Sequence, residues 1–279
     1  MTTGEAVSVC TPSGYRIIAT LIVLLSASSA PASSPADTLA QAESAFAEGV
    51  ALRHDSARAR PTFTRAANAY DTLWNEGFRS PELAINRARA HRLAGNLPKC
   101  IAALHDGLAF ARFSRPLQVE LEDARAAVLY PLDGELATQA RPKPLRGIST
   151  RMSPTDAWLL AGSLWLLACA GVARFAMTRN PLWLAGAAMC LVVGLILGGL
   201  WLQDAQQRIH DESLPLLVVS DDVILRRGNA AAYPPRIDAI LPKGAEVREL
   251  TRRGGWVQVQ IPGGAIGWLP ESAVISCGG

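Results

Sequence analysis

Three uninterrupted apolar runs interrupt a chain whose hydrophobic and polar positions are otherwise periodic. Residues 17–25 (Ile-Ile-Ala-Thr-Leu-Ile-Val-Leu-Leu) form the first, and Ser26-Ala27-Ser28-Ser29-Ala30 ends it. Nine helical residues reach about 14 Å, short of the ~30 Å hydrocarbon core of a bilayer. With Arg16 in front and small residues at Ser28 and Ala30 behind, residues 1–30 have the form of a secretory signal peptide cleaved after Ala30; an uncleaved anchor running into the Ser/Ala/Pro stretch is the alternative. Either one sends the downstream chain out of the cytosol. Cys10 precedes the run instead of coming after it, which argues against a lipid-anchored cysteine.

The second run, residues 157–173, lies between Asp156 and Arg174, and the third, residues 180–203, between Arg179 and Asp204; neither contains a charge. Both reach spanning length, and Trp158, Trp183 and Trp201 stand where aromatic rings settle at a membrane interface. Leu-Ile-Leu-Gly-Gly-Leu-Trp (195–201) has no polar face at any helical period, as a soluble helix would. The pattern predicts transmembrane helices over 156–176 and 181–202 joined as a tight hairpin, with the flanking segments on one side. The basic residues Arg141, Lys143, Arg146 and Arg151 favour a cytoplasmic side for the flanks, whereas a signal peptide commits the preceding domain to export. We follow the signal peptide and expect both soluble regions outside the cytoplasm.

Between the first two runs, residues 37–135 have a helical period, many alanines and prolines at the breaks Pro61, Pro81, Pro98, Pro116 and Pro131. In 81–108, small or apolar residues recur at Ala84, Ala88, His91, Cys100, Leu104 and Gly107 around a Gly95-Asn96 turn. This resembles a tetratricopeptide repeat, in which small residues let paired helices cross closely. Sliding back 41 residues, Ala47, Val50, Ala59, Phe63 and Ala66 repeat the spacing, and Leu117, Leu121, Ala124 and Val128 mark one face of a capping helix. A generic helical bundle is the alternative. A repeat array implies a concave surface for a peptide or protein, and Asn86 and Arg89 are the candidate contacts on it. Residues 136–155 read as a basic, Pro-containing linker, either near anionic headgroups or a solvated spacer.

After residue 213 the texture changes to short alternating runs at 217–219, 223–225, 245–250, 257–261 and 265–269, with Gly- and Pro-rich turns such as Arg253-Gly254-Gly255-Trp256. Five short strands in about 60 residues predict a small barrel over 214–277. Val257, Val259 and Ile261 are expected inward and Gln258 and Gln260 outward. The successive segments Val223-Ile224-Leu225-Arg226-Arg227-Gly228, Tyr233-Pro234, Leu241-Pro242-Lys243-Gly244, Gly255-Trp256-Val257-Gln258-Val259 and Gly267-Trp268-Leu269 resemble the bacterial SH3-like (SH3b) domain. In order of parts, the whole chain is similar to BatE-type proteins of bacterial aerotolerance-named operons. That resemblance implies a membrane protein working beside von Willebrand A-domain partners. The expected fold is thus a multidomain membrane protein: an all-α tetratricopeptide-like repeat, a two-helix transmembrane hairpin and a small all-β SH3-like barrel.

Tyr233, Trp256 and Trp268 are the candidate ligand contacts of the barrel, because flat rings with polar edges hold extended peptides at low entropic cost. Trp268 is expected in the core and Trp256 partly exposed. SH3b domains in several families bind peptidoglycan, so a cell-wall ligand is the second expectation for this surface.

Composition narrows the chemistry. The chain of 279 residues is 49% hydrophobic and 18% charged with a net charge of +3, and the charge is balanced regionally: 16 Lys/Arg against 13 Asp/Glu over 37–151, and 8 against 9 over 203–279. No basic footprint for nucleic acid is present. The five cysteines have no metal-ligand spacing, and Cys100 and Cys277 are expected as free thiols rather than a disulfide. His54, His91, His105 and His210 adjoin no nucleophile or acid set, and Arg112, Arg115 and Arg125 are expected on a solvated face. The expectation is a non-enzymatic binding protein without cofactor, metal or catalytic residues.

Overall fold

The computed structural model describes residues 34–131, 139–142, 153–212 and 214–277. The signal-peptide region, Cys10 and most of the basic linker lie outside the described residues. Seven α-helices are present among the described residues: α1 (Pro35–Ala51), α2 (Ser56–Asn75), α3 (Pro81–Leu93), α4 (Leu97–Phe110), α5 (Arg115–Ala126), α6 (Pro154–Thr178) and α7 (Pro181–Glu212). Side chains that prefer to cap start most of them. Ser34, Asp55, Ser80, Asn96 and Ser153 each accept a bond from a first-turn backbone N–H, and Pro occupies the first turn of α1, α3, α4, α5 and α6, where its missing donor costs nothing. Pro61 departs from that rule: it lies inside α2 instead of ending a helix. It sits less than two turns from the N-terminus, so only one backbone bond is forfeited, and the buried face of Phe63, Ala66, Ala67, Tyr70 and Leu73 holds the helix together.

Helices α1 to α5 pack in sequence as α1/α2 and α3/α4 hairpins followed by α5. Gly107 on α4 lets the helices meet: a Cβ there would lie 2.6 Å from the Ala84 Cβ. The 41-residue offset holds for the second helix of each pair, with Ala59, Phe63 and Ala66 buried like Cys100, Leu104 and Gly107. It fails for the first. Ala47 and Val50 are exposed, and the buried positions of α1 are Thr38, Ala42, Ala45 and Gly49. The reason is the turn: residues 52–55 join α1 to α2, one more than the residues 94–96 that join α3 to α4, so the matching offset for the first helices is 42, as in Ala42 and Ala84.

Two helical stretches, Thr155–Thr178 and Pro181–Gln203, are long and apolar enough to cross a membrane. Both present apolar side chains outward, and they close on each other through Ala168, Gly171 and Ala187. Arg179, with φ 55°, turns the chain between them. Helix α7 continues past the apolar stretch to Glu212, and its 32 residues measure about 48 Å.

The C-terminal region contains seven strands, not five: β1 (Leu216–Val219), β2 (Val223–Arg226), β3 (Pro235–Leu241), β4 (Glu246–Arg253), β5 (Trp256–Gln260), β6 (Ile266–Pro270) and β7 (Val274–Ser276), with a 3-10 turn at Glu271–Ala273. They form one antiparallel sheet in the order β3-β2-β6-β5-β4-β1-β7, open in its hydrogen-bonded ladder with β3 and β7 at the ends. Val257, Val259 and Ile261 are buried, as the alternation predicts.

Strand β1 explains how the two soluble regions relate. Leu217, Val218 and Val219 are all fully buried, so both faces of the strand are covered. Strands β4 and β7 pair along its two edges, and α4 packs against it. A single hydrophobic core therefore runs from Ile101, Leu104, Leu117, Leu121 and Val128 of the helices into Leu217, Leu241, Val247 and Leu269 of the sheet. The helical and sheet regions are one head and not two independent domains. Gly244 sits at this junction with φ +88°, and a Cβ there would approach Val128 to 3.0 Å and Ile101 to 3.3 Å. Linker residues 139–142 join the same unit. Gly263 N–H donates to the Gln139 carbonyl at 2.6 Å, Ala140 is buried, and the Arg141 guanidinium stacks over the Tyr130 ring.

Candidate functional site

Two surfaces of the head offer binding geometry, and a buried polar cluster joins the elements that carry them. The first surface is a cleft of about 530 Å³ between α1 and α3. Leu39, Leu73, Phe78 and Leu83 give it an apolar lining, and Glu43, Arg79, Glu82 and Asn86 stand around it. Leu39 and Phe78 remain 39% and 48% exposed, which leaves apolar area for an incoming side chain to cover. Asn86 is thus placed as a candidate contact should be, with an amide that can both donate and accept. Arg89 is placed differently. Its guanidinium binds Glu120 and so ties α3 to α5.

Behind the cleft, Arg87 bridges Asp71 of α2 and Asp106 of α4 and stacks on Trp74, while His91 Nε2 lies 3.1 Å from Asp71. This is why a histidine is tolerated at a buried helix position: its ring nitrogen has a partner. Burial alone would raise the Asp71 carboxyl, but the bonds from His91 and Arg87 prevail and hold it below its ordinary value.

The second surface is the outer face of β5 and β6. Trp256, Gln258 and Gln260 alternate with the buried valines, and Gln258 pairs directly with Trp268. Both tryptophans are therefore half-buried on one face, diagonal neighbours on adjacent strands and within mutual reach. The expectation that Trp268 fills the core is corrected: the inward residues of β6 are Gly267 and Leu269, because side chains alternate and Leu269 already occupies the core side. Trp268 is also opposite Arg226 of β2, whose guanidinium donates to the Tyr233 carbonyl at 2.8 Å. The Tyr233 ring is half exposed beside Gly228. The three aromatic candidates thus border one continuous stretch of β5, β6 and β2.

Between helices and sheet, Glu246 is 4% exposed and accepts two 2.6 Å bonds from the Arg125 guanidinium. His105 Nε2 is 3.1 Å from the same carboxylate, an ion-pair distance without hydrogen-bond alignment. Burial by itself would raise the Glu246 carboxyl; the charge on His105 and the Arg125 bonds overcome it and hold the group far below the usual carboxylate range. Arg125 is therefore no part of a solvated face. Local sequence gives no sign of this pairing, since its partners are 121 residues apart.

Burial pushes Cys100 up to about 12 and also raises Cys277, and both are free. Cys169 and Cys190 lie in the spans. His54 is exposed beside Arg53, and His210 falls in α7. Among the described residues no three His, Cys, Asp or Glu side chains gather as a metal site. No family model, curated protein or solved structure matches the chain.

Proposed function

We propose that the protein is a non-enzymatic, membrane-anchored adaptor whose helical cleft holds an extended segment of a protein partner. The observation that carries this reading is the cleft between α1 and α3, where exposed Leu39 and Phe78 flank an apolar lining and Asn86 offers a backbone-matching amide. An extended strand needs both: pockets for its side chains and a donor–acceptor pair for its peptide groups. The two apolar helices fix the head to a membrane, which favours partners in or beside that membrane. The tetratricopeptide and SH3b resemblances, and that of the domain order to BatE-type proteins, support an extracytoplasmic head in a bacterial inner membrane, with von Willebrand A-domain proteins as partners. In-cell photo-crosslinking from a benzophenone amino acid at Leu39, with exposed Thr64 on α2 as control, tests it. Protein adducts at Leu39 and none at Thr64 are expected; equal labelling at both positions refutes a specific cleft.

A second reading has its own observation. The outward pair Trp256 and Trp268, bordered by Tyr233, fits a glycan or peptide of the cell wall. Co-sedimentation with purified sacculi that is lost in the Trp256→Ala, Trp268→Ala double variant would favour it, and a protein that stays in solution counts against it.

A further inference from the structure

We propose that the cleft between α1 and α3 selects an extended peptide that carries basic side chains on both sides of an apolar one, an inference that rests on the adaptor reading above. Charge complementarity points to it. Glu43 on α1 and Glu82 on α3 stand on the two walls of the cleft, and neither carboxylate pairs with a cation among the described residues. Some carboxylates of the head are paired: Glu48 binds Arg65, Glu120 binds Arg89, and Asp71 and Asp106 share Arg87. The cation on the cleft wall, Arg79, is turned onto the face of Trp74, 5.5 Å from the ring centroid. The ring holds this guanidinium against Trp74 without cancelling its charge, and two carboxylates against one cation leave the opening with a net negative charge.

The rest of the cleft sorts the ligand further. Leu39, Phe78 and Leu83 accept one apolar side chain. Asn86 matches a single peptide group, which favours an extended backbone over a helix whose amides are already bonded to each other. An ammonium on either side of the apolar anchor then reaches Glu43 on one wall and Glu82 on the other. A uniformly acidic segment would meet two like charges, which costs affinity instead of adding it.

The test is fluorescence anisotropy on the full-length protein in detergent, with a fluorescein-labelled peptide Gly-Lys-Ser-Leu-Ser-Lys-Gly, whose lysines share the face of its one leucine when extended, and its counterpart bearing glutamate at both lysine positions. Two exposed ion pairs gained, set against two like-charge contacts, predict binding of the basic peptide about tenfold tighter than the acidic one, a preference that shrinks as salt is raised. The Glu43→Gln, Glu82→Gln double variant is expected to erase the preference, and Leu39→Asp to abolish binding of the basic peptide. Equal binding of the two peptides, both lost in Leu39→Asp, overturns the charge selection and leaves the cleft as a peptide site. Binding of neither peptide overturns the selection together with the adaptor reading. Binding that appears only when residues 1–33 are removed assigns the cleft to the chain's own N-terminal segment and overturns the proposal.

Discussion

Glu246 on β4 and Arg125 at the end of α5 are joined by two 2.6 Å hydrogen bonds across 121 residues of sequence. The two helices long and apolar enough to cross a membrane lie between them in the chain. The pair therefore closes a chain loop that contains both apolar helices and fastens the sheet to the helices that precede the hairpin.

Removing one member of this pair should be costly, because the other is left as an uncompensated buried charge. Glu246→Gln is expected to destabilise the head by about 3–5 kcal/mol, and Arg125→Met by a similar amount. The Arg125→Met, Glu246→Met double variant should lose much less than the two singles added together, since it leaves no unpaired charge of the pair. Urea unfolding of the full-length protein in detergent, followed by tryptophan fluorescence, measures all three.

The same carboxylate makes the head acid-sensitive. Its folded pKa lies below the unfolded value of about 4.3, so its contribution is fully present above that value and is lost as pH falls toward the folded one. Melting temperature should fall as pH drops from about 5 to 3. The Glu246→Gln variant, which starts lower, should show a shallower decline over that window; parallel curves would contradict the assignment.

The corrected orientation of β6 ranks two neighbouring residues. Leu269 is fully buried and Trp268 is not, so Leu269→Ala should cost about 2–5 kcal/mol as a core cavity. Trp268→Ala should cost clearly less despite the larger side chain removed. Denaturant midpoints of the two variants check the order.

Contact between Arg125 and Glu246 requires an even number of membrane crossings between them. An epitope inserted after Phe113 and another fused at Gly279 should be accessible from one and the same side, with a tag at Asn180 accessible from the other. Under the proposed export, a periplasm-specific reporter at Gly279 is active. Tags at 113 and 279 on opposite sides would refute the hairpin.

What the sequence discloses is local. Caps, first-turn prolines, charge-free spans and the Val257–Ile261 alternation each lie within a few residues of the structure they dictate, and all are legible. Strand β3 is hidden because Tyr233-Pro234-Pro235 reads as a turn and Ala239 is a weak alternation signal. Strand β7 is three residues long, too short for any pattern. The shift of α1 against α3 comes from one extra turn residue, which a fixed offset cannot absorb. Asn86 is legible as a surface position on a helix, but its cleft is built by α1, α2 and α3 together. The joining of helices and sheet is the least legible. In a local window Arg125 is one more charge in Glu-Asp-Ala-Arg, and Glu246 opens an ordinary strand; only the fold shows that both are sealed from water.

The docking of Gln139 on the turn at Gly263 has a mechanical corollary. From Pro142 to Ser153 the chain can stretch no more than about 40 Å, and from the end of α7 at Glu212 to Leu216 about 14 Å. A head held by a single stalk can swivel freely, but one moored at two points, with one mooring this short, resists torsion about the membrane normal. Under the proposed membrane anchoring, load applied to the cleft is delivered to the helical hairpin as tilt or shear.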